Sequence, residues 1–144
     1  MTAGEGKNPM KMLAAILTSS ISLLAQSPLK WEYDLAAAQK RAKKEGKPVF
    51  VDVWAEWCPP CQHLRNVVFP SVEAQQGLAG YIPVSLMTET KDRRVLPDNA
   101  KVAQRFKVDG YPTMLILDAQ GREVKRQVGA FRTGDDLKNW LKKK

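Results

Sequence analysis

The sequence predicts an α/β fold: a central mixed β-sheet with helices on both faces, closed by a C-terminal β-hairpin plus helix. Three observations predict it. Helical and strand-like segments alternate along the chain, which favours a parallel-rich sheet covered on both sides. The segment 48–54, Pro-Val-Phe-Val-Asp-Val-Trp, is apolar almost throughout, as a strand buried on both faces must be. The last two strand-like runs are joined only by Ala119-Gln120-Gly121-Arg122, a turn that folds them into an antiparallel hairpin at the sheet edge.

In chain order, residues 31–44 read as a helix, with Asp34 as a cap and Leu35, Ala38 and Ala42 on one face. Gly46 and Pro48 end it. The strand 48–54 leads to Cys58, and Pro59 occupies the favoured first position of a second helix, which runs through Leu64 and Val67 and breaks near Pro70. Ser71 caps a short helix to Leu78, and residues 82–87 form the next strand. Asp98 is the expected cap of a helix carrying Val102, Ala103 and Phe106. Thr113–Leu117 and 123–128 are the hairpin strands. Thr133 and Asp136 form a capping box for the last helix, whose Leu137, Trp140 and Leu141 share a face.

The chain has 144 residues, the size of a single domain, and 44% hydrophobic with 26% charged residues is an ordinary globular balance. A domain this long buries enough surface to fold without a disulfide staple. The two cysteines are too few for a disulfide framework, and both sit in one C-x-x-C. The net charge of +8 reads first as solubility, with acidic partners or an anionic membrane surface as the alternative. Basic residues are not interleaved with aromatics, so no nucleic-acid partner is expected. Lys142, Lys143 and Lys144 read as a solvated helix end, where cations suit the dipole.

Residues 1–27 are expected to be a signal peptide or N-terminal anchor, and 28–144 the folded domain. The apolar run 12–24 follows Lys7 and Lys11 and precedes Ala25, the order of a secretory leader. It falls short of the roughly 20 apolar residues of a membrane span. Met10-Lys11 is the more natural start for such a segment. The alternatives are an amphipathic first helix of the fold and an uncleaved anchor. Export places the domain in the periplasm or secreted, or anchored in the membrane and facing the periplasm. In those oxidising compartments a lone C-x-x-C is more often redox-active than idle.

Cys58 and Cys61 lie three residues apart at the start of a helix. The first position faces the positive end of the helix dipole, which favours the thiolate, the attacking species in disulfide exchange. Cys58 is the candidate nucleophile, and Cys61, one turn in and more buried, the resolving thiol. Pro59 and Pro60 carry no N–H to donate to the Cys58 sulfur. Fewer donors stabilise the thiolate less, which points to a comparatively reducing pair. The alternative is a zinc site. Zinc wants four ligands, and only Cys58, Cys61 and His63 are at hand. His63 reads as a solvated helix residue, and no metal or cofactor is expected beyond the redox-active disulfide itself.

The stretch Val51-Asp52-Val53-Trp54-Ala55-Glu56-Trp57-Cys58-Pro59-Pro60-Cys61 resembles the active-site segment of the thioredoxin family, with Pro59 in place of its usual glycine. Tyr111-Pro112-Thr113 resembles the family's cis-proline element, and Val128-Gly129-Ala130 its second groove loop. The resemblance covers residues 30–144 and implies a thioredoxin fold and thiol–disulfide oxidoreductase chemistry. It makes Asp52 the buried acid beneath Cys61, able to take its proton; the alternative is a strand residue bonded to backbone. It makes Trp57, Pro59, Pro60, Tyr111, Pro112 and Gly129 the substrate-binding surface, with plain packing for Trp57 and an ordinary strand-initiating role for Pro112 as alternatives.

Phe69-Pro70-Ser71-Val72-Glu73-Ala74, the long 88–99 connection and Gly129-Ala130-Phe131 resemble the C-terminal periplasmic domain of DsbD and similar small exported thioredoxin-like proteins. That implies a monomer acting on protein disulfide substrates, re-reduced by a membrane-embedded thiol donor. The Ser85-Leu86 region lacks the lysine that accompanies the buried acid in the family, and Tyr111 replaces a smaller residue before the proline. The expected activity is reduction of, or electron relay to, protein disulfides outside the cytoplasm. The rivals are an oxidase or isomerase using the same residues, and a non-enzymatic binding module or copper chaperone.

Overall fold

The computed structural model describes Gly4 and residues 28–143. The expected leader, with its apolar run at 12–24, lies outside the described residues.

Helix α1 spans Leu35–Glu45. Asp34 caps it by accepting the Ala37 N–H at 2.7 Å, and Gly46 ends it in the left-handed region at φ 65°. The helix starts four residues later than its apolar spacing suggests. Backbone bonds to the sheet explain the delay: Glu32 N–H donates to the Pro83 carbonyl and Ser85 N–H to the Glu32 carbonyl, both at 2.8 Å. Trp31 turns instead to the opposite side of the sheet, against Phe50 and Phe69.

Strand β1 covers Val49–Ala55 and is buried along its whole length, as its composition requires. Helix α2, Pro59–His63, passes directly into a π-helical turn, Leu64–Val68, closed by Phe69 N–H to the Leu64 carbonyl at 2.8 Å. A continuous α-helix past Val67 is therefore corrected: the ladder widens by one residue there. Helix α3, Val72–Leu78, is capped by Ser71, and strand β2 runs Ile82–Glu89. Helix α4 is Pro97–Arg105. Its cap is Leu96 rather than Asp98, because Pro97 opens the helix and Asp98 falls in the first turn, where its charge still suits the dipole. Strands β3, Thr113–Leu117, and β4, Glu123–Val128, form the hairpin. The Thr133–Asp136 capping box starts helix α5, Gly134–Lys142.

The sheet order is β2-β1-β3-β4. Among these four strands β1 and β2 are the parallel pair; β3 runs antiparallel to β1, and β4 to β3. The sheet is mixed, as the sequence predicts, but with one parallel pairing against two antiparallel ones it is not parallel-rich, and that part of the expectation is corrected. Alternation of elements does not reveal strand direction when a connection, here α4 with its flanking loops, brings the chain back to the end of the sheet that it left.

Val49, Val51 and Val53 point with Val84, Leu86 and Leu115 to one face, covered by α1 and α4. Phe50, Met114 and Ile116 point to the other, covered by α2, the π-turn, α3 and α5. Asp52 has the same parity as Phe50 and so lies on that second face, the one that α2 crosses.

Candidate functional site

Strand β1 ends at Ala55, and three residues later the chain enters α2. Cys58 is the N-cap, in extended backbone, and is disulfide-bonded to Cys61. The Cα atoms are 5.3 Å apart, within ordinary disulfide geometry. Cys61 N–H donates to Cys58 Sγ at 3.3 Å. Pro59 and Pro60 contribute no donor, as expected from their chemistry. Cys58 is 3% exposed and Cys61 1%, so both residues are buried in the disulfide state.

The two cysteines pack with Trp54 and Ala55, and Trp57, Met87 and Tyr111 close over this cluster. The Trp57 and Tyr111 rings meet edge to face at 6.1 Å. Trp57 is held by two residues that sequence reasoning did not single out, Glu89 at the end of β2 and Arg93 in the connection that follows it. Its Nε1–H donates to Glu89 Oε2 at 2.8 Å, and the Arg93 guanidinium lies 4.2 Å from its ring centroid. The peptide bond before Pro112 is cis. Gly129, at φ 88°, donates its N–H to the Pro112 carbonyl at 2.9 Å, so the two groove loops are tied together. Pro59 and Pro60 are exposed beside them. His63, also exposed, contacts the Arg132 carbonyl through Nε2 at 3.0 Å.

Asp52 is 1% exposed, and neither carboxylate oxygen has a hydrogen-bond partner. A strand carboxylate satisfied by backbone is thereby excluded. Burial pushes its pKa up from 3.8 to about 7, partly offset by the positive charge of Arg65, whose Nη1 lies 3.9 Å from Oδ2. Arg65 supplies a cation where the Ser85-Leu86 region has none. The legible signal for it was its spacing: it follows Cys61 by four residues on the same helical run. Ser85, directly opposite Asp52 in the β1–β2 register, accepts hydrogen bonds from both Arg65 Nη1 and Trp54 Nε1 at 2.8 Å.

Among the described residues no group of three or more His, Cys, Asp or Glu side chains is arranged to hold a metal ion. No helix among them is long and apolar enough to cross a membrane. The redox chemistry available is that of the Cys58–Cys61 pair itself, which needs no added cofactor to exchange electrons with a second disulfide.

The profile of a thioredoxin-like domain matches residues 35–144. The chain is 33% identical over 89 residues to the thiol:disulfide interchange protein DsbD of Colwellia psychrerythraea, covering 61% of this chain and 14% of that protein. It is 31% identical over 93 residues to the DsbD of Haemophilus influenzae, covering 64% and 15%. The chain thus spans about a seventh of the length of these curated relatives. Among solved structures, a thioredoxin from Thermus thermophilus matches with a TM-score of 0.64 at 26% identity, over 80% of this chain and 85% of that one. A DsbH oxidoreductase matches in fold at 0.64 and 20% identity, over 97% and 95%. The oxidised C-terminal domain of Neisseria meningitidis DsbD matches in fold at 0.59 and 21%, over 77% and 96%. With a disulfide-bonded C-x-x-C opening α2 of this fold, the chain belongs to the thioredoxin-like family and carries the working pair of a thiol–disulfide oxidoreductase.

Proposed function

We propose that this protein reduces, or relays electrons to, protein disulfides outside the cytoplasm. The observation that carries the reading is the Cys58 sulfur at the cap of α2 with one N–H donor upon it. A sulfur so placed is stabilised as a thiolate, and the two prolines keep that stabilisation modest. A less stabilised dithiol gives up its electrons more readily.

In the dithiol form the Cys58 thiolate attacks one sulfur of a substrate disulfide. That S–S bond breaks, a mixed disulfide forms, and the other substrate sulfur leaves as a thiolate. Cys61 then passes its proton to the Asp52 carboxylate, and its thiolate attacks Cys58 Sγ. The mixed disulfide breaks, the second substrate thiolate leaves, and the Cys58–Cys61 bond closes as seen here. Two electrons have moved to the substrate. Asp52 suits the acceptor role because a carboxyl titrating at about 7 can both take and return a proton near neutrality. Trp57, Tyr111, Pro112 and Gly129, with exposed Pro59 and Pro60, form the surface on which the substrate segment lies.

The likeness to DsbD supports an exported domain, 28–144, behind a leader or anchor, re-reduced by a membrane-embedded thiol donor. The test is a reduction potential with an insulin-reduction assay, using Cys58→Ser as control. The expected potential lies nearer thioredoxin's about −270 mV than the about −120 mV of DsbA. Insulin reduction is expected in the parent and absent in the control. A potential at the DsbA end assigns the protein to oxidation instead. An inactive parent that binds stoichiometric copper makes it a metal carrier. A Cys61→Ser variant is expected to hold its substrate as a mixed disulfide, which identifies the partner.

A further inference from the structure

Asp52 sits on its sheet face between Ser85 of β2 and Met114 of β3. Among the described residues, the one charged side chain that acts on it is Arg65, reaching in from the π-turn. Met114 and Ser85 are neutral, and α3 and α5 present Ala74, Leu78 and Leu137 to this face. Arg65 stops 3.9 Å from Oδ2, beyond hydrogen-bond distance. Its restraint is visible. Nη1 donates to Ser85 Oγ at 2.8 Å, and the guanidinium carbon lies 3.9 Å from the Trp54 ring centroid. Trp54 Nε1–H donates to the same Ser85 Oγ at 2.8 Å, so both lone pairs of that hydroxyl are occupied.

We infer that Arg65 is a held-off counter-ion, a positioning residue that tunes Asp52 as the base of the exchange, while Ser85 and Trp54 keep it from closing into a hydrogen-bonded pair. The inference rests on the reading of Asp52 as proton acceptor for Cys61. Its logic is a choice between two useless extremes. A buried carboxyl with no cation nearby keeps its proton past neutrality and accepts none. A closed Arg–carboxylate pair holds the carboxyl far below neutrality, where it is too weak a base for a thiol. A cation at ion-pair distance without a hydrogen bond lies between them. Because the Arg65 side chain remains 29% exposed, its own charge stays partly hydrated and the arrangement costs little desolvation.

The test is an NMR titration of the Asp52 carboxyl carbon in the oxidised full chain, alongside the pH profile of insulin reduction. Arg65→Gln is expected to raise the Asp52 midpoint by about one pH unit, with turnover falling about tenfold below the midpoint and little above it. Arg65→Lys is expected to restore most of the shift. Ser85→Ala releases Arg65 onto Asp52 and is expected to move the midpoint down, the opposite direction, while Ser85→Thr keeps the hydroxyl and leaves it near the parent. An unmoved midpoint in Arg65→Gln overturns the inference, as does a rise in Ser85→Ala. Midpoints that move as stated while turnover ignores them in every variant overturn the base role of Asp52 instead. The two failures are thus told apart.

Discussion

The indole N–H of Trp57 donates to Glu89 Oε2 at 2.8 Å across 32 residues of chain. That bond fixes the ring next to Cys58 from one side while Arg93 stacks on its face and Tyr111 meets its edge. The ring is half-buried, so it reaches both the sulfur cluster and solvent.

Glu89→Ala leaves the sulfurs untouched and frees the ring. A net hydrogen bond of about 0.5–1.5 kcal/mol corresponds to about a twofold to tenfold rise in KM for a protein substrate, with kcat little changed. Steady-state reduction of insulin measures both. A fall in kcat at constant KM would mean that the ring acts on the chemistry rather than on docking.

Asp52 ties stability to pH. Its folded pKa of about 7 lies above the ordinary 3.8, so the folded state holds a proton that the unfolded chain releases. The stabilisation is full below the unfolded value and is lost as pH rises through the folded one. Asp52→Asn removes this dependence. Relative to the parent, the variant is expected to gain about 2–3 kcal/mol between about pH 5 and about pH 8. Urea unfolding of the oxidised proteins at the two pH values gives the difference; a gap that stays constant contradicts the raised proton affinity.

Pro60 occupies the second helical position, where a backbone N–H would reach a capping side chain. Pro60→Ala restores that donor to Cys58. Extra stabilisation of the thiolate favours the dithiol and makes the pair more oxidising, by about 10–30 mV for a hydrogen bond of ordinary strength. Equilibration against glutathione reads the potential. A shift toward more negative values would reverse the argument about the two prolines.

Gly134 and Ser71 bring the starts of α5 and α3 together. A β-carbon on Gly134 would overlap Ser71 Oγ and stand 3.1 Å from the Ala74 nitrogen. Ser71 Oγ accepts the Ala74 N–H at 3.3 Å and donates to the Val68 carbonyl at 2.6 Å, so displacing it uncaps α3. Gly134→Ala is expected to cost about 1–3 kcal/mol in thermal or urea unfolding. In a Ser71→Gly background the same methyl should cost less, since the displaced hydroxyl is already gone.

Most elements were readable in advance because their signals are local. Asp34, Ser71 and Thr133 sit three residues from the N–H groups they cap, and β1 announces its burial through seven residues in a row. The errors have local excuses and distant causes. Residues 31–34 have helical spacing, but Glu32 among them spends its backbone N–H and carbonyl on β2. The antiparallel setting of β3 against β1 joins segments some sixty residues apart, and no window of sequence contains both.

The disulfide pair and its place at a helix start were written in five consecutive residues, Trp57 to Cys61, since a helix cap and a two-residue spacer are matters of neighbouring atoms. The surroundings of Asp52 were not. Arg65, Ser85 and Trp54 converge there only after two strands adopt one register and a helix crosses them at one height. The same holds for Glu89 and Arg93 around Trp57, and for the bond from Gly129 to Pro112. Local chemistry set the C-x-x-C pair at a helix start; packing between distant segments set the charge and the dielectric around Asp52, because both depend on separations that exist only once the chain is folded.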